Sequence, residues 1–266
     1  MSKPRRSREW DSAAYERVSG PQFSWGKKVV DRVLARGDEI VLDAGCGTGK
    51  LTAELLGKLP RGRVVAVDLS ENMLRAAGEQ LTPRFGDQIL LVAADLEDLP
   101  FNQCFDGIFS TAVFHWVPDH DRLFRNLYQS LKPGGWLVAQ CGGGPNLNRL
   151  LKRVASLSRT SPFAPYLADY KHAWVYSDAE TAAQQLRRAG FVNVDTSLEP
   201  TPTCLEDAQR YCEFVSKVIL HRHLERVPDP NLQRQFIEEL SGQARKDDPP
   251  FQLDYWRLNL NGRRPA

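Results

Sequence analysis

The chain predicts an α/β fold built on a doubly wound sheet, and three observations point to it. Between residues 40 and 141 short apolar runs alternate with helical stretches, the rhythm that packs parallel strands between helices. Two of those runs end in an acid, Asp43 and Asp68, immediately before the turn that leads into a helix. Over 266 residues the composition is 42% hydrophobic and 26% charged, enough apolar surface for a sizeable core.

The elements follow in order. Residues 1–9 carry Lys3, Arg5, Arg6 and Arg8 with almost nothing apolar, which reads as a frayed tail or a basic docking arm. Trp25, Val29, Val30, Val33 and Leu34 recur at helical spacing over 23–34, and Gly37 stops that helix. A strand over 40–43 enters a glycine turn and a helix over 51–59, closed by Pro60, Arg61 and Gly62. A second strand, 64–68, precedes a helix over 71–81 with Ser70 as its N-cap. Strands are expected at 89–93, 107–113 and 136–141, with a helix over 120–131 and a Lys132-Pro133-Gly134-Gly135 turn before the last of them. Gly142-Gly143-Gly144-Pro145 then breaks the rhythm, and the aromatic and basic stretch up to Tyr176 reads as an inserted lid or cap. A helix over 178–189 stops at Gly190, a strand covers 191–197, helices cover 205–226 and 231–245 around Pro228-Asp229-Pro230, and an alternating run at 251–261 returns to the sheet. The expected division is a tail and lid (1–20), a core (21–145, 177–200), cap insertions (146–176, 201–250) and a last core strand with its tail (251–266).

Charge narrows the partners. Lys and Arg total 35 against 33 Asp and Glu, a net +2, so no global field draws the protein onto nucleic acid or an anionic membrane. No apolar run approaches the roughly 20 residues that span a bilayer, and the basic N-terminus lacks an apolar run behind it. Cys46, Cys104, Cys141, Cys204 and Cys212 are odd in number and scattered, as reduced thiols would be. The expectation is a cytoplasmic protein, monomeric or weakly dimeric, whose partner is a small molecule.

The central motif is Asp43-Ala44-Gly45-Cys46-Gly47-Thr48-Gly49 at the end of the first strand. Glycines at 45, 47 and 49 let the backbone pass close to a ligand where a Cβ would collide. A nicotinamide fingerprint wants its third glycine at position 50, which is Lys, and Asp43 would oppose a pyrophosphate, so the acid suits a ligand bearing a positive group. Asp68 ends the second strand where an acid accepts hydrogen bonds from ribose hydroxyls. Asp95 ends the third, placed to accept from an exocyclic adenine amine, with Leu96 over one ring face and Met73 over the other.

With these residues the sequence resembles the class I S-adenosylmethionine-dependent methyltransferases, a Rossmann-like family. The matching elements are the 43–49 motif, Asp68, Asp95, Phe105-Asp106 and Leu131-Lys132-Pro133-Gly134-Gly135, within residues 40–141. The resemblance implies a seven-stranded sheet with a helical cap and S-adenosylmethionine as cofactor. It also implies a methionine moiety against Asp43, Gly45, Cys46, Gly47 and Gly49, a ribose on Asp68 beside Leu69, and an adenine on Asp95. Trp10, Tyr15 and Gln22 ahead of the core, and Phe114-His115-Trp116-Val117-Pro118-Asp119-His120 after the fourth strand, resemble the branch containing trans-aconitate, malonyl-carrier-protein and juvenile hormone acid methyltransferases. Those enzymes methylate carboxylates, so O-methylation of a small carboxylate is expected, with methylation of a phenol- or quinone-like acceptor, or of RNA or protein, as alternatives.

His115 and Trp116 are expected to face the transferred methyl, with Tyr15 and Trp10 closing the site and Gln22 beside the cofactor. A carboxylate is already ionised at neutral pH and needs no base; a phenol does, and His115, then His120, is the candidate. His115 otherwise is a hydrogen-bonded strand-end histidine, Trp116 a wall, and Trp10 and Tyr15 packing on the sheet edge. No metal is expected, because His221 and His223 lie two apart on a helix and point to different faces. The string Asp248-Pro249-Pro250-Phe251 resembles one found in amino-group methyltransferases after their fourth strand, but here it falls before the last strand and reads as a rigid turn. The cap segments carry Arg149, Lys152, Arg153, Arg159, Lys171, Arg222 and Arg226 among aromatics, either an acceptor lid or a nucleic-acid surface, and near-neutral net charge favours the lid.

Overall fold

In the computed structural model the described residues are Glu9, Trp10, Ser12, 20–172 and 174–266. Helix α1 (Gly20–Asp31) precedes β1 (Ile40–Ala44), in which every residue but Ile40 is buried. Helix α2 (Lys50–Gly57), β2 (Arg63–Asp68), α3 (Glu71–Phe85), β3 (Ile89–Ala93), β4 (Phe105–Thr111), α4 (His120–Ser130) and β5 (Leu131–Gly142) complete the alternating half. Its central strands are apolar runs because helices cover both faces of the sheet.

Beyond β5 come α5 (Asn148–Leu157), α6 (Ala164–Leu167), α7 (Ala179–Ala189), β6 (Val192–Pro200), β7 (Thr203–Cys204), α8 (Ala208–Phe214), a π-turn at Val215–Ile219, α9 (His221–Leu224), α10 (Pro230–Ala244), β8 (Gln252–Leu253) and β9 (Trp256–Arg263). Seven strands form one sheet in the order β3, β2, β1, β4, β5, β9, β6. The first five run parallel, and β9 runs antiparallel to both β5 and β6. Order reverses between β1 and β4, and this switch point places the ends of β1, β2 and β4 around one cleft.

The structure refines two elements. The run expected as one strand over 251–261 is two: Phe251 takes φ +55, β8 pairs with β7 in a separate ribbon, and Asp254 turns aside so that its carboxylate accepts the Arg149 N–H at 2.9 Å. The helix expected over 205–226 starts later, where Asp207 caps it by accepting the Arg210 N–H at 2.8 Å, and contains the π-turn.

Residues from two distant stretches, among them Leu150, Phe163, Leu167 and Trp174 from one and Tyr211, Phe214, Phe236 and Leu240 from the other, share one apolar cluster with Trp25. Trp116, just past the C-terminal end of β4, packs against this cluster. Arg153 ties the two stretches together through a bidentate pair with Asp247, at 2.9 and 2.6 Å.

Candidate active site

At the end of β1 the glycine turn is built by three positive-φ residues, Gly45 (+89), Gly47 (+54) and Gly49 (+85). The Gly45 and Cys46 N–H groups donate to the Val67 carbonyl at 2.8 and 2.9 Å, which holds the turn against β2. All three glycines are expected to clear space for a ligand; Gly45 and Gly47 line the cleft, and at Gly45 and Gly49 the space is also claimed by protein side chains. A Cβ on Gly45 would strike Val113 and one on Gly49 would strike Leu81 and Ala77, so these two admit protein side chains. Gly49 does not line the cleft; a Cβ on Gly47, which does, would meet nothing.

Asp43, Asp68 and Asp95 line one cleft from three strand ends. Asp43 is buried and accepts the Thr52 hydroxyl at 2.6 Å. Burial pushes its carboxyl up to about 7, the Thr52 hydrogen bond opposing and the Asp68 charge adding to the rise. Asp68 accepts the Gly47 N–H on one oxygen and the Ser70 N–H on the other, both at 2.9 Å, and burial raises its pKa against those bonds. Each oxygen keeps a lone pair for a further donor. Asp95 accepts the Glu97 N–H at 3.0 Å through its own side chain.

Cys46, Leu69, Met73, Leu96, Trp10 and Gln22 line the same cleft. Burial holds the Cys46 thiol well above its usual pKa, so it is an apolar wall. Among the described residues the buried Gln22 Oε1 has no hydrogen-bond partner, which leaves it able to accept from a ligand N–H. These residues fit S-adenosylmethionine: Asp43 and Gln22 for a cationic, N–H-bearing end, the turn at Gly47 for close approach, Asp68 for vicinal hydroxyls, and Asp95 with Leu96 and Met73 for an amine-bearing ring.

Trp116 lines the cleft as expected, whereas His115, expected to face the transferred methyl, is not among the cleft-lining residues but is buried beside Trp116, with ring centroids 5.4 Å apart. The His115 Nδ1 accepts the Gly142 N–H at 3.3 Å, and burial, then the Arg257 and His120 charges, hold the ring neutral. His120 is buried too, its Nε2–H donating to the Phe114 carbonyl at 2.9 Å while Nδ1 lies 3.1 Å from the Ser177 hydroxyl. Trp10 meets Trp116 edge to face at 5.3 Å. Tyr15 lies outside the described residues. The Asp248-Pro249-Pro250-Phe251 string is not among the cleft-lining residues.

Several residues of the site were not singled out from the sequence. Thr52, which is buried behind the cleft and supports Asp43, left no motif beyond a hydroxyl in a helix. Ala112, at φ +57, brings the chain after β4 along the cleft, a conformation no alanine advertises. Phe23 and Arg222 arrive from α1 and the cap, whose positions depend on tertiary packing alone.

Residues 42–139 match the family model described as a methyltransferase domain. The chain is similar to the trans-aconitate 2-methyltransferase of Deinococcus radiodurans, 29% identical over 92% of this chain and 94% of the relative. It is also similar to that of Azoarcus sp., 33% identical over 66% of this chain and 70% of the relative. Among solved structures, phosphoethanolamine N-methyltransferase 2 of Haemonchus contortus, in complex with S-adenosyl-L-methionine, superposes with a TM-score of 0.62 at 20% identity, over 96% of this chain and 57% of that longer one. That likeness concerns the fold, and the family follows from the sequence relatives. The chain belongs to the class I S-adenosylmethionine-dependent methyltransferases, in the branch that includes the trans-aconitate methyltransferases.

Proposed function

We propose that this methyltransferase acts on a small acid and methylates a carboxylate oxygen. The observation that carries the reading is the state of its histidines. In a neutral imidazole one nitrogen alone has an in-plane lone pair; in His115 that nitrogen, Nδ1, is taken by the Gly142 N–H, and in His120 it faces the Ser177 hydroxyl. Neither ring has a lone pair free for a hydroxyl proton. The His115 Nε2 therefore carries the proton, so the ring can donate a hydrogen bond but cannot take up a hydroxyl proton.

Bound S-adenosylmethionine supplies a methyl group on a positively charged sulfur. The chain's part is to align an acid that is already ionised, since a carboxyl pKa near about 4 leaves no proton to remove at neutral pH. Trp116 and Trp10 wall the transfer end and exclude water; Asp43, Asp68, Asp95, Leu69, Met73, Leu96, Cys46, Gly47 and Gln22 hold the cofactor. In this reading residues 21–145, 177–200 and 251–266 are the cofactor-binding core, and 146–176 with 201–250 form the acceptor cap. The two relatives named as trans-aconitate 2-methyltransferases support it.

The test is production of S-adenosylhomocysteine with trans-aconitate and other carboxylic acids against a matched set of phenols. Turnover on acids, with kcat level between about pH 7 and 9, is expected. Turnover on phenols alone, rising with pH, overturns it.

A further inference from the structure

One cation in the cleft has no part in the account so far. Lys50 and Arg222 are the cationic lining residues. Lys50 begins α2, directly after the glycine turn, whereas Arg222 comes from the cap. Its neighbour His221 packs on Trp10, with ring centroids 4.4 Å apart, and on Trp116 at 6.0 Å, and Arg222 lines the same cleft as both tryptophans. The Arg222 guanidinium forms no ion pair or side-chain hydrogen bond with any described residue.

The helix has a specific device for placing it there. Tyr211, Val215 and Val218 are buried at helical spacing, and an uninterrupted α-helix would carry that stripe on to position 222. The π-turn at Val215–Ile219, closed by the Leu220 N–H donating to the Val215 carbonyl at 2.7 Å, inserts one residue into the repeat. His223 and Leu224 are buried in its place, and Arg222 is left half-buried at the cleft.

The chemistry then says what a cation can do at this point. A lone pair of the acid forms the new O–CH3 bond while the S–CH3 bond breaks and its electron pair stays on sulfur; no proton moves, and one negative and one positive charge disappear. A guanidinium paired with the attacking oxygen would grip the ground state more strongly than the transition state and slow the transfer. A cation here is useful only to an anion whose charge survives the reaction. Resting on the carboxylate reading above, we infer that Arg222 sets acceptor specificity by holding a second anionic group of the acceptor, so that it selects polyacids, of the kind named for the trans-aconitate relatives, over monoacids.

The experiment compares the full chain with its Arg222→Met and Arg222→Lys variants on trans-aconitate, fumarate, glutarate and citrate, with crotonate and butyrate as monoacids. Calorimetry with S-adenosylhomocysteine and 5′-methylthioadenosine, which lacks the amino-acid end, runs in parallel. The wild type is expected to turn over at least one polyacid with kcat/KM roughly 100-fold above the monoacids. Arg222→Met should lose about 100-fold on that polyacid through KM, keep its monoacid rate and bind S-adenosylhomocysteine as before, with Arg222→Lys intermediate. Equal use of monoacids, unchanged by Arg222→Met, overturns the inference and leaves the carboxylate reading standing. Weakened binding of S-adenosylhomocysteine but not of methylthioadenosine assigns Arg222 to the cofactor and overturns the inference as well. Turnover on no acid removes both.

Discussion

The floor of the cleft and the cap above it are held together in opposite ways. On the floor each acid is locked by hydrogen bonds: Asp43 by Thr52, nine residues on; Asp68 by Gly47 and Ser70; Asp95 by Glu97. The cap is an aromatic and aliphatic cluster from stretches far apart in sequence, with Phe163 against Phe236 at 5.0 Å and Trp116 against Trp174 at 5.5 Å. A polar floor fixed by short-range bonds suits one unchanging ligand. An apolar cap held by packing can be rebuilt around different acceptors without disturbing that floor, so substitutions on the floor should move cofactor binding, and those in the cap acceptor use.

The largest effect should come from Asp68. Asp68→Ala removes the acceptor for two backbone N–H groups and the lone pairs offered to the cofactor. Calorimetry should show S-adenosylhomocysteine binding weakened by at least about 100-fold, while circular dichroism keeps its folded signature. Near-wild-type affinity would end the floor's assignment.

Next in size is a pH effect on Asp43. With its carboxyl near 7, the free protein holds that proton at mildly acidic pH, and a bound cation draws it off. Affinity for S-adenosylmethionine should fall by up to about tenfold per unit below pH 7 and level off above it. Asp43→Asn should bind weakly with a flat profile. Stability of the free chain runs the other way: the unfolded carboxyl ionises near 3.8 and the folded one near 7, so this group's contribution is full below the lower value and is lost as pH rises through the upper. A thermal melt series from pH 4 to 8 checks that sign.

These two regions also differ in how far they could be read from sequence. Strand-end acids and the glycine turn were legible because hydrogen bonding and positive φ demand particular residue types at fixed spacing. What spacing did not tell is which neighbour each glycine admits: Gly45 makes way for Val113 and Gly49 for Leu81, contacts that exist only once the sheet is assembled. The break between β8 and β9 turns on Asp254 meeting Arg149, over a hundred residues away. Arg222 was visible only as one cation among several, because the π-turn that aims it is a compromise between helix and cluster with no residue signature. The His115 lone pair was hidden for the same reason, its partner being the backbone of Gly142.

His115→Asn sharpens that last point and should have a smaller effect. The Asn Oδ1 can still accept the Gly142 N–H, while the Nε2–H donor is lost. Because the carboxylate charge fades in the transition state, loss of one hydrogen bond to it predicts about a 5- to 10-fold rise in KM for an acid acceptor, with kcat little changed and the shape of the pH profile unchanged. A drop in kcat of about 100-fold or more, with loss of the acidic limb of the profile, would restore the ring as a base.

The smallest effect tests whether the cap is energetically separate from the floor. Arg153→Met removes the bidentate pair between α5 and the turn after α10, but Asp247 keeps Arg149 at 3.5 Å, so its charge stays partnered. The pair is only partly buried, and its loss should cost about 1 kcal/mol, a fall of roughly 2–4 °C in Tm for a chain of this size. If cap and floor are independent, S-adenosylhomocysteine affinity stays put while KM for the acid rises a few-fold, because the two cap stretches no longer hold one spacing. A matching loss of cofactor affinity would mean that cap packing sets the floor, and the contrast between the two would be one of composition without energetic separation.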